Sequence, residues 1–419
     1  MKIGIRREDK NIWERRVPLV PADLAELQQQ GFQFQVQPSP NRIFTDEMYT
    51  KSGLEVAEDL SPCDMVIAVK EIPTELLEVG KSYLYFSHVI KGQDYNMPML
   101  RRLMDLKCSL LDYERIVDGD GRRLIFFSIH AGYAGTIDTL WTLGQRMKAR
   151  GLDSPLSEIL RTYEYSSFED AKAHLRLIGQ KLDASQPLTI GMAGYGNVAR
   201  GCREVLDCLP CEWVDPTDLD KPATAPIRCV EFRESDMVKP ANGQAFELQE
   251  YYDHPERYTG DFERFLPQLD VLLNTIYWTE RYPRLVTRQW VRDNPDPRLQ
   301  AIGDISCDYE GSIEITLHST MPDEPSFVYD AATDTVTAGV DGSSPAVMAV
   351  DNLPCEVARE SSEHFSSVLR TLVPALSNCD WSASFADLDL PPELKTAVIV
   401  HQGELTPDYR YLEKHLETS

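Results

Sequence analysis

Residues 187–202 read PLTIGMAGYGNVARGC, and this stretch sets the architecture of the middle of the chain. The apolar run PLTIGMAG is typical of a buried strand, and the glycine-rich turn after it opens a helix predicted over 198–208. Gly194-Tyr-Gly196-Asn-Val-Ala199 fits the GxGxxG/A turn, whose glycines admit a pyrophosphate and whose small third residue lets helix pack on strand. The stretch therefore predicts a dinucleotide-binding unit; the alternative is a glycine turn in another kind of α/β domain.

Two acids extend this prediction. Asp215 ends the next predicted strand, CEWVD, nineteen residues after Gly196, where dinucleotide-binding folds place the carboxylate that binds the ribose hydroxyls. Its charge would repel a 2′-phosphate, so it favours NAD over NADP, although a nearby cation would reverse this preference. Asp304 ends the later strand AIGDIS and is expected to touch cofactor or substrate. The predicted cofactor contacts are Gly194, Gly196, Asn197, Val198, Ala199, Asp215 and Asp304.

The composition is that of an acidic globular protein. The 419 residues include 42 Lys+Arg and 67 Asp+Glu, for a net charge of −25. This charge argues against nucleic acid or a membrane surface as the main partner. No apolar run reaches the ~18 residues of a membrane span, and the start MKIGIRREDK has no signal-peptide core, so we expect a cytoplasmic protein. Cys208 and Cys211 have the CxxC spacing of half a zinc site, but no second CxxC or HxxxH completes it, and the seven histidines other than His88 show no ligand spacing, so no metal is predicted.

Candidate catalytic residues come from the first third of the chain, where short apolar runs alternate with polar or helical segments as in α/β domains. The runs MVIAVK, YLYFSH and SLLDYE end in Lys70, His88 and Glu114. Ligands of open α/β sheets bind at the carboxyl ends of the strands. There, Lys beside Glu can exchange protons with an amine, and His can serve water addition or loss at an imine. The alternative is that each is a charged residue at the end of a strand with no catalytic role.

The apolar run LIFFSI (124–129) predicts a further strand.

Arg16 and Arg123 also stand beside predicted strands of this region. A guanidinium matches a carboxylate through two parallel hydrogen bonds, which an enzyme for dicarboxylates would need in so acidic a protein. The alternative is a solvated arginine. By contrast, the segment 216–260, rich in Pro, Asp and aromatic residues, has the least regular pattern and is expected to be a surface excursion.

A series of longer motifs resembles a known family. AVKEIP, FSHVIKGQDYNM, LLDYERIVDGDGRR, GYGNVARG and GDISCDYEGSIE occur in the order found in the lysine 2-oxoglutarate reductase domain of bifunctional aminoadipic semialdehyde synthases. The chain is similar, more loosely, to lysine-forming saccharopine dehydrogenases and, more distantly, to alanine dehydrogenase. The resemblance runs from residue 2 to about 414. It does not include the saccharopine-cleaving half of the bifunctional enzymes, so a stand-alone reductase is expected.

The resemblance implies an α/β fold with two Rossmann-like domains and an interdomain cleft. Residues 1–135 plus 340–419 would form the substrate domain and 136–339 the nucleotide domain. It implies an NAD(P)-dependent oxidoreductase acting on CH–NH bonds, which joins L-lysine and 2-oxoglutarate reversibly to saccharopine. The implied catalytic residues are Lys70, His88, Glu71 and Glu114, and the implied substrate contacts are Arg16, Lys91 and Arg123.

Two departures from the family bear on the substrate. Ser128 and His130 replace a glycine and a large aromatic residue before AGYAG, and Cys307–Glu310 replaces a smaller turn after Asp304. The alternatives therefore stay open: a dehydrogenase of the opine or amino-acid type with another amine or 2-oxo acid, or a nucleotide-binding regulator without turnover. The sequence makes no prediction of oligomeric state.

Overall fold

The structure, a computed structural model, describes residues 1–416, and the chain divides into two units. Unit 1 comprises Met1–Phe126 together with the segment from Ala358 onward, and unit 2 comprises Phe127–Val357. Each unit is built around its own sheet. Within residues 1–416, no helix is both long enough and apolar enough to cross a bilayer.

The strands are, in chain order, β1 (Lys2–Ile5), β2 (Gln33–Val36), β3 (Met65–Ile67), β4 (Ser82–Tyr85), β5 (Ser109–Asp112), β6 (Leu188–Ala193), β7 (Cys211–Val214), β8 (Ile227–Phe232), β9 (Val238–Pro240), β10 (Tyr258–Gly260), β11 (Val271–Asn274), β12 (Ala301–Asp304), β13 (Ser326–Asp330), β14 (Thr335–Ala338), β15 (Ala346–Met348), β16 (Val398–His401) and β17 (Glu404–Leu405).

The helices are α1 (Pro21–Gln29), α2 (Asp46–Lys51), α3 (Met97–Asp105), α4 (Ser128–Ala149), α5 (Phe168–Gly179), α6 (Asn197–Leu206), α7 (Glu234–Met237), α8 (Leu248–Asp253), α9 (Arg288–Asp293), α10 (Ala358–Asn378), α11 (Pro392–Lys395) and α12 (Glu413–Leu416).

The sheet of unit 1 has the order β17-β16-β5-β4-β3-β1-β2. Strands β1 to β5 run parallel, whereas β16 is antiparallel to β5 and β17 is antiparallel to β16. Every residue of β3, β4 and β5 is buried, as is usual for parallel strands covered on both faces. Because neighbouring parallel strands end at the same edge, the segments that follow β3, β4 and β5 lie side by side there.

The sheet of unit 2 has the order β14-β13-β15-β12-β11-β6-β8-β7. Strands β7, β8, β6, β11, β12 and β15 are parallel, and the hairpin β13–β14 is antiparallel. Strand β6, which precedes the glycine turn, therefore lies between β11 and β8 and does not pair with β7. Strand β8 lies inside segment 216–260, so the expectation that this whole segment is a surface excursion is wrong. Its polar Arg228 and Glu231 break the apolar pattern that would have indicated a buried strand.

Helix α4 corrects a second expectation. It begins at Ser128, so residues 124–129 do not form the strand that their apolar character predicted. The helix packs closely on α6: a Cβ on Gly132 would lie 2.1 Å from the carbonyl oxygen of Val198, and one on Gly201 would lie 2.2 Å from that of Ile129. The two glycines thus bring the helix backbones into contact, as the AGYAG and GNVARG segments require.

Candidate active site

Lys70 follows β3 at the carboxyl edge of the unit 1 sheet. Its amide donates to Oε2 of Glu8 (2.9 Å), and the preceding amide, of Val69, donates to Oε1 of the same carboxylate (2.6 Å). Burial first, and then the positive charge of Arg16, hold the pKa of the Lys70 ammonium below its ordinary value of 10.5. A lowered pKa makes a lysine a better proton donor, and its neutral form easier to reach, than that of an exposed lysine.

Acids and bases alternate around Lys70. Nε and a terminal guanidinium nitrogen of Arg16 donate to the two oxygens of Glu14 at 2.7 and 2.6 Å, and both side chains are buried. Glu71 pairs with Lys10 at 2.9 Å. Glu14 and Glu71 act to raise the pKa of Lys70. The structure thus places the Glu71 charge beside Lys70 and engages Arg16 with an internal carboxylate.

His88 follows β4 at the same edge and has a left-handed backbone with φ of 56°. This conformation is strained for a residue other than glycine and needs support from its surroundings. The support comes from Asp112, the last residue of β5, whose Oδ2 accepts from the His88 amide (3.1 Å), and from Asn96, whose amide donates to the His88 carbonyl (3.2 Å). The imidazole stacks on Phe86 with ring centroids 6.2 Å apart.

Glu114 connects His88 to a cation. Its Oε1 lies 3.5 Å from Nδ1 of His88 and 3.3 Å from a guanidinium nitrogen of Arg123. The contact with His88 is the main cause that holds the pKa of Glu114 below its ordinary value, and Arg123 and Lys91 act in the same direction. The structure thus brings four of the predicted residues together after β4 and β5: His88, Lys91, Glu114 and Arg123.

Three buried acids near this edge were missed from the sequence: Glu8, Glu14 and Asp112. The signal for Asp112 was present, because it is the one carboxylate inside the apolar part of SLLDYE. Its Oδ1 accepts from the Glu114 amide at 2.8 Å and its Oδ2 from Ser87 and His88, so it fixes both neighbouring catalytic candidates. Glu8 and Glu14 stand in a charged segment, REDKNIWERR, where nothing distinguishes buried acids from exposed ones.

A cavity of about 410 Å³ opens beside the glycine turn of unit 2. Its wall includes Gly194, Gly196 and Glu234, and it is rich in tyrosine side chains, namely Tyr195, Tyr251, Tyr252, Tyr277 and Tyr282. Aromatic walls suit a flat heterocyclic base, and the position at the carboxyl end of β6 is the one used for nucleotides in doubly wound sheets.

The glycine turn has the geometry that a pyrophosphate needs. Gly194 has φ of 103°, and a Cβ there would lie 2.7 Å from Oγ1 of Thr275. A Cβ on Gly196 would meet nothing within 4 Å, so the space above this residue is free for a ligand. Gly196 caps α6, whose first residue Asn197 is exposed, while Ala199 is buried against the core. Val198 turns towards α4 and packs on the core of unit 2.

The two predicted cofactor acids lie outside the wall of this cavity. Asp215 follows the edge strand β7, and its Oδ1 accepts from the amide and hydroxyl of Thr217 at 3.0 and 2.7 Å. Asp304 is buried at the end of β12, where it accepts from Asn274 (2.7 Å) and Thr316 (2.6 Å), and burial raises its pKa to about 6. Both carboxylates are thus engaged by their own unit.

Glu234 is the acid that the sequence analysis missed at the cavity. It follows β8, and its Oε1 accepts from the hydroxyls of Tyr252 (2.7 Å) and Tyr195 (3.4 Å). The neighbouring Arg233 lies over the Tyr195 ring at 5.0 Å and pairs with Glu231 at 3.2 Å. The sequence signal was the strand IRCVEF, which ends two residues before Glu234.

Among residues 1–416, no group of three or more His, Cys, Asp or Glu side chains has the arrangement of a metal site.

Comparison with known proteins connects both units to one family. The alanine dehydrogenase/PNT N-terminal domain matches residues 4–134, and the C-terminal domain of the same family matches residues 249–408. The solved structure of an L-alanine dehydrogenase superimposes with a TM-score of 0.66 at 16% identity, over 99% of this chain and 100% of that one. The likeness at this identity concerns the fold.

Curated relatives are closer in sequence. Alpha-aminoadipic semialdehyde synthase of Arabidopsis thaliana is 35% identical over 98% of this chain and 41% of its own, and the mitochondrial enzyme of that name from Mus musculus is 33% identical over 99% and 48%. The chain thus spans less than half the length of these two relatives. The saccharopine dehydrogenase (NAD⁺, L-lysine-forming) of Neurospora crassa is 28% identical over 91% of this chain and 92% of its own. With both domain matches, this chain belongs to the alanine dehydrogenase/PNT family.

Proposed function

We propose that this chain catalyses the reversible, NAD(P)H-dependent condensation of L-lysine with 2-oxoglutarate to saccharopine. The observation that carries the proposal is the cluster at one edge of the unit 1 sheet, where a lysine with a lowered pKa and a histidine held by Glu114 both follow parallel strands. The names of the similar curated proteins support the choice of substrates. Unit 1 would hold the substrates and unit 2 the nucleotide.

The proposed chemistry assigns separate proton transfers to the two bases. When the ε-amine of substrate lysine attacks the ketone, Lys70 in its neutral form accepts the proton that the amine loses and returns it to the alkoxide oxygen, which gives the carbinolamine. His88 then donates a proton to the carbinolamine hydroxyl, which leaves as water and yields the protonated imine. Glu114 keeps the imidazole oriented throughout, because its carboxylate stays ionised. Bound NAD(P)H supplies the hydride that reduces the imine carbon.

The substrate carboxylates need cationic side chains that are exposed enough to contact a ligand. Arg16 is buried in its pair with Glu14, whereas Arg123, which pairs with Glu114 at 3.3 Å, keeps 49% of its side chain exposed, and Lys91 is exposed. We therefore propose Arg123 and Lys91 as the main carboxylate contacts, with Arg16 acting on Lys70 through its charge. A bidentate contact from Arg123 would give a dicarboxylate an advantage over a monocarboxylate.

For the cofactor, we propose Glu234 in place of Asp215 as the ribose ligand, with NADH preferred. In dinucleotide-binding folds this acid follows the strand next to the glycine-turn strand, and here that strand is β8. Glu234 also lines the cavity. A carboxylate at this place repels a 2′-phosphate, although Arg233 offers a cation one residue away.

The test of the reaction is NAD(P)H oxidation by the full chain with a panel of amino acids and 2-oxo acids. We expect turnover with lysine and 2-oxoglutarate only in combination, with saccharopine as the product by mass spectrometry. Turnover with a different pair would favour an opine-type or amino-acid dehydrogenase. Nucleotide binding without turnover for any pair would favour the regulatory alternative.

The test of the ribose ligand compares Glu234→Gln with the matched variant Asp215→Asn. We expect Glu234→Gln to raise KM for NADH and to narrow the preference for NADH over NADPH, while Asp215→Asn leaves both unchanged. The opposite result would restore Asp215. If NADPH use falls in Arg233→Gln and in neither of the other variants, Arg233 contacts a 2′-phosphate.

The cytoplasmic location expected from the sequence stays a prediction.

A further inference from the structure

Glu8 is a buried acid that holds the backbone on which Lys70 stands. Its two oxygens accept from two successive amides, those of Val69 at 2.6 Å and Lys70 at 2.9 Å, and only 7% of the residue is exposed. The carbonyl of Val69 in turn accepts from the amide of Phe86, beyond β4, at 3.1 Å. The peptide before Lys70 is thereby fixed from two sides.

Electrostatics give no reason for an acid at this position. Within residues 1–416, Glu8 forms no ion pair, and the groups that face it are Glu14, Arg6 and the Tyr113 hydroxyl. The Arg6 guanidinium is itself paired with Asp9. Burial first, and then the Glu14 charge, raise the pKa of Glu8 from 4.5 to about 7, while the two amides and Arg6 act in the opposite direction. As a carboxylate, Glu8 therefore costs folding free energy.

We propose that Glu8 is the positioning residue for Lys70, and that it does so through a fork of two acceptor oxygens that only a carboxylate provides. The inference rests on the proposed function, since the position of Lys70 affects catalysis only if Lys70 transfers protons. Glutamine would keep the size but has a single acceptor oxygen, and its NH₂ group would face an amide that needs an acceptor. The costly charge is thus explained by the geometry of the reaction site.

The same contact predicts a pH effect with a definite sign. Because the pKa of Glu8 is higher in the folded chain than its ordinary value, the folded chain binds an extra proton between pH 4.5 and 7. The stability linked to that proton is present at low pH and is lost as the pH rises through 7. The stability of Glu8→Gln should fall less between pH 6 and pH 8 than that of the parent.

The experiment compares Glu8→Gln and Glu8→Asp with the matched control Glu58→Gln, an exposed acid of the same unit that pairs with Arg7. Asp keeps the charge but is one methylene too short for the fork. We expect both Glu8 variants to lose turnover by about 10- to 10²-fold, the effect of a misplaced reacting group, with the Kd for NADH unchanged. Only Glu8→Gln should show a smaller change in Tm between pH 6 and pH 8 than the parent. Glu58→Gln should match the parent in every measurement.

Hydrogen–deuterium exchange of the unmodified chain keeps the proposal testable if the variants do not fold. Opening that separates Glu8 from the Val69 and Lys70 amides returns the acid to its ordinary pKa, so protection of this peptide should fall about tenfold from pH 6 to pH 8 after correction for intrinsic exchange. Flat protection, or full turnover in Glu8→Gln or Glu8→Asp, would overturn the proposal. If no substrate pair gives turnover, the proposed function fails, while the exchange profile still tests the Glu8 contact.

Discussion

Nδ1 of His88 lies 3.5 Å from Oε1 of Glu114, and this contact is the largest cause of the lowered pKa of that carboxyl. The carboxylate therefore remains ionised well into the acidic range. A permanent acceptor on one ring nitrogen orients the imidazole and leaves the other nitrogen for proton exchange with a substrate, which is the arrangement that acid–base histidines use.

Removal of the Glu114 charge tests this arrangement. We expect Glu114→Gln to lower turnover roughly tenfold or more, yet less than His88→Gln, because the base remains but loses its orientation. NAD(P)H oxidation with lysine and 2-oxoglutarate measures the effect. The matched control is Asp118→Asn, which removes an acid that pairs with exposed Arg122. Equal rates in Glu114→Gln and the control would mean that the carboxylate only balances Arg123.

Lys70 and His88 themselves should be the most sensitive positions. We expect Lys70→Met and His88→Gln each to lower turnover by roughly 10² to 10⁴, the usual loss for a positioned acid or base. The double variant should lose less than the product of the two, because both groups act on one sequence of proton transfers. NADH binding, measured by fluorescence, should survive in all three. Near-normal rates in folded single variants would move the chemistry elsewhere.

The two glycines of the turn predict different defects. Gly196 has φ of −77° and open space beside it, so Gly196→Ala should fold normally but weaken nucleotide binding by blocking the close approach of the pyrophosphate. Gly194 has φ of 103° and contacts Thr275, so Gly194→Ala should also cost about 1 to 3 kcal/mol of stability. Nucleotide titration and thermal melting of both variants give the comparison. Unchanged KM for the nucleotide in Gly196→Ala would exclude this turn as its site.

The buried Arg16–Glu14 pair predicts a stability defect in Arg16→Ala. Glu14 is fully buried, and loss of its bidentate partner should cost about 3 to 5 kcal/mol. Addition of Glu14→Gln should recover part of this loss. Urea unfolding measures both effects. The control is Arg7→Ala, which breaks the exposed pair with Glu58 and should cost at most about 1 kcal/mol. Weakened 2-oxoglutarate binding with full stability would show instead that Arg16 contacts substrate.

A pair of buried acids in unit 2 predicts a pH-dependent stability. Asp138 on α4 and Glu356 are both buried and each acts on the pKa of the other, so we expect the two carboxyl groups to share a proton. Burial raises the pKa of Asp138 to about 6 and that of Glu356 well above its ordinary value. Raised pKa values mean that stability is lost as the pH increases through them.

Glu356→Gln should therefore stabilise the chain at pH 8 to 9 by roughly 1 to 3 kcal/mol, because an amide donates to Asp138 without a proton from solvent. At pH 5, where the shared proton is in place, the difference from the parent should vanish. Thermal melting across this range measures it. A constant difference at all pH values would show that the pair does not titrate.

Local sequence pattern was sufficient to predict those strands, turns and helices whose formation depends on residues close together in the sequence. The strand, glycine turn and helix from 188 to 206 follow from apolar runs and from backbone freedom at Gly194 and Gly196. The positions of Lys70, His88 and Glu114 after parallel strands could also be predicted. A buried strand appears in the sequence as a short apolar run, and parallel neighbouring strands end at the same edge of the sheet.

Contacts between segments that are distant in the sequence could not be predicted from local pattern. Strand β8 inserts between β6 and β7, and this order is the reason that we propose Glu234 in place of Asp215 as the ribose ligand, although nothing in either strand specifies its neighbour. Glu8 and Glu14 are buried in a segment as charged as any surface loop. Their burial depends on amides and cations supplied from elsewhere in the fold, and the partners of a buried charge are set by tertiary packing and not by its own neighbours in sequence.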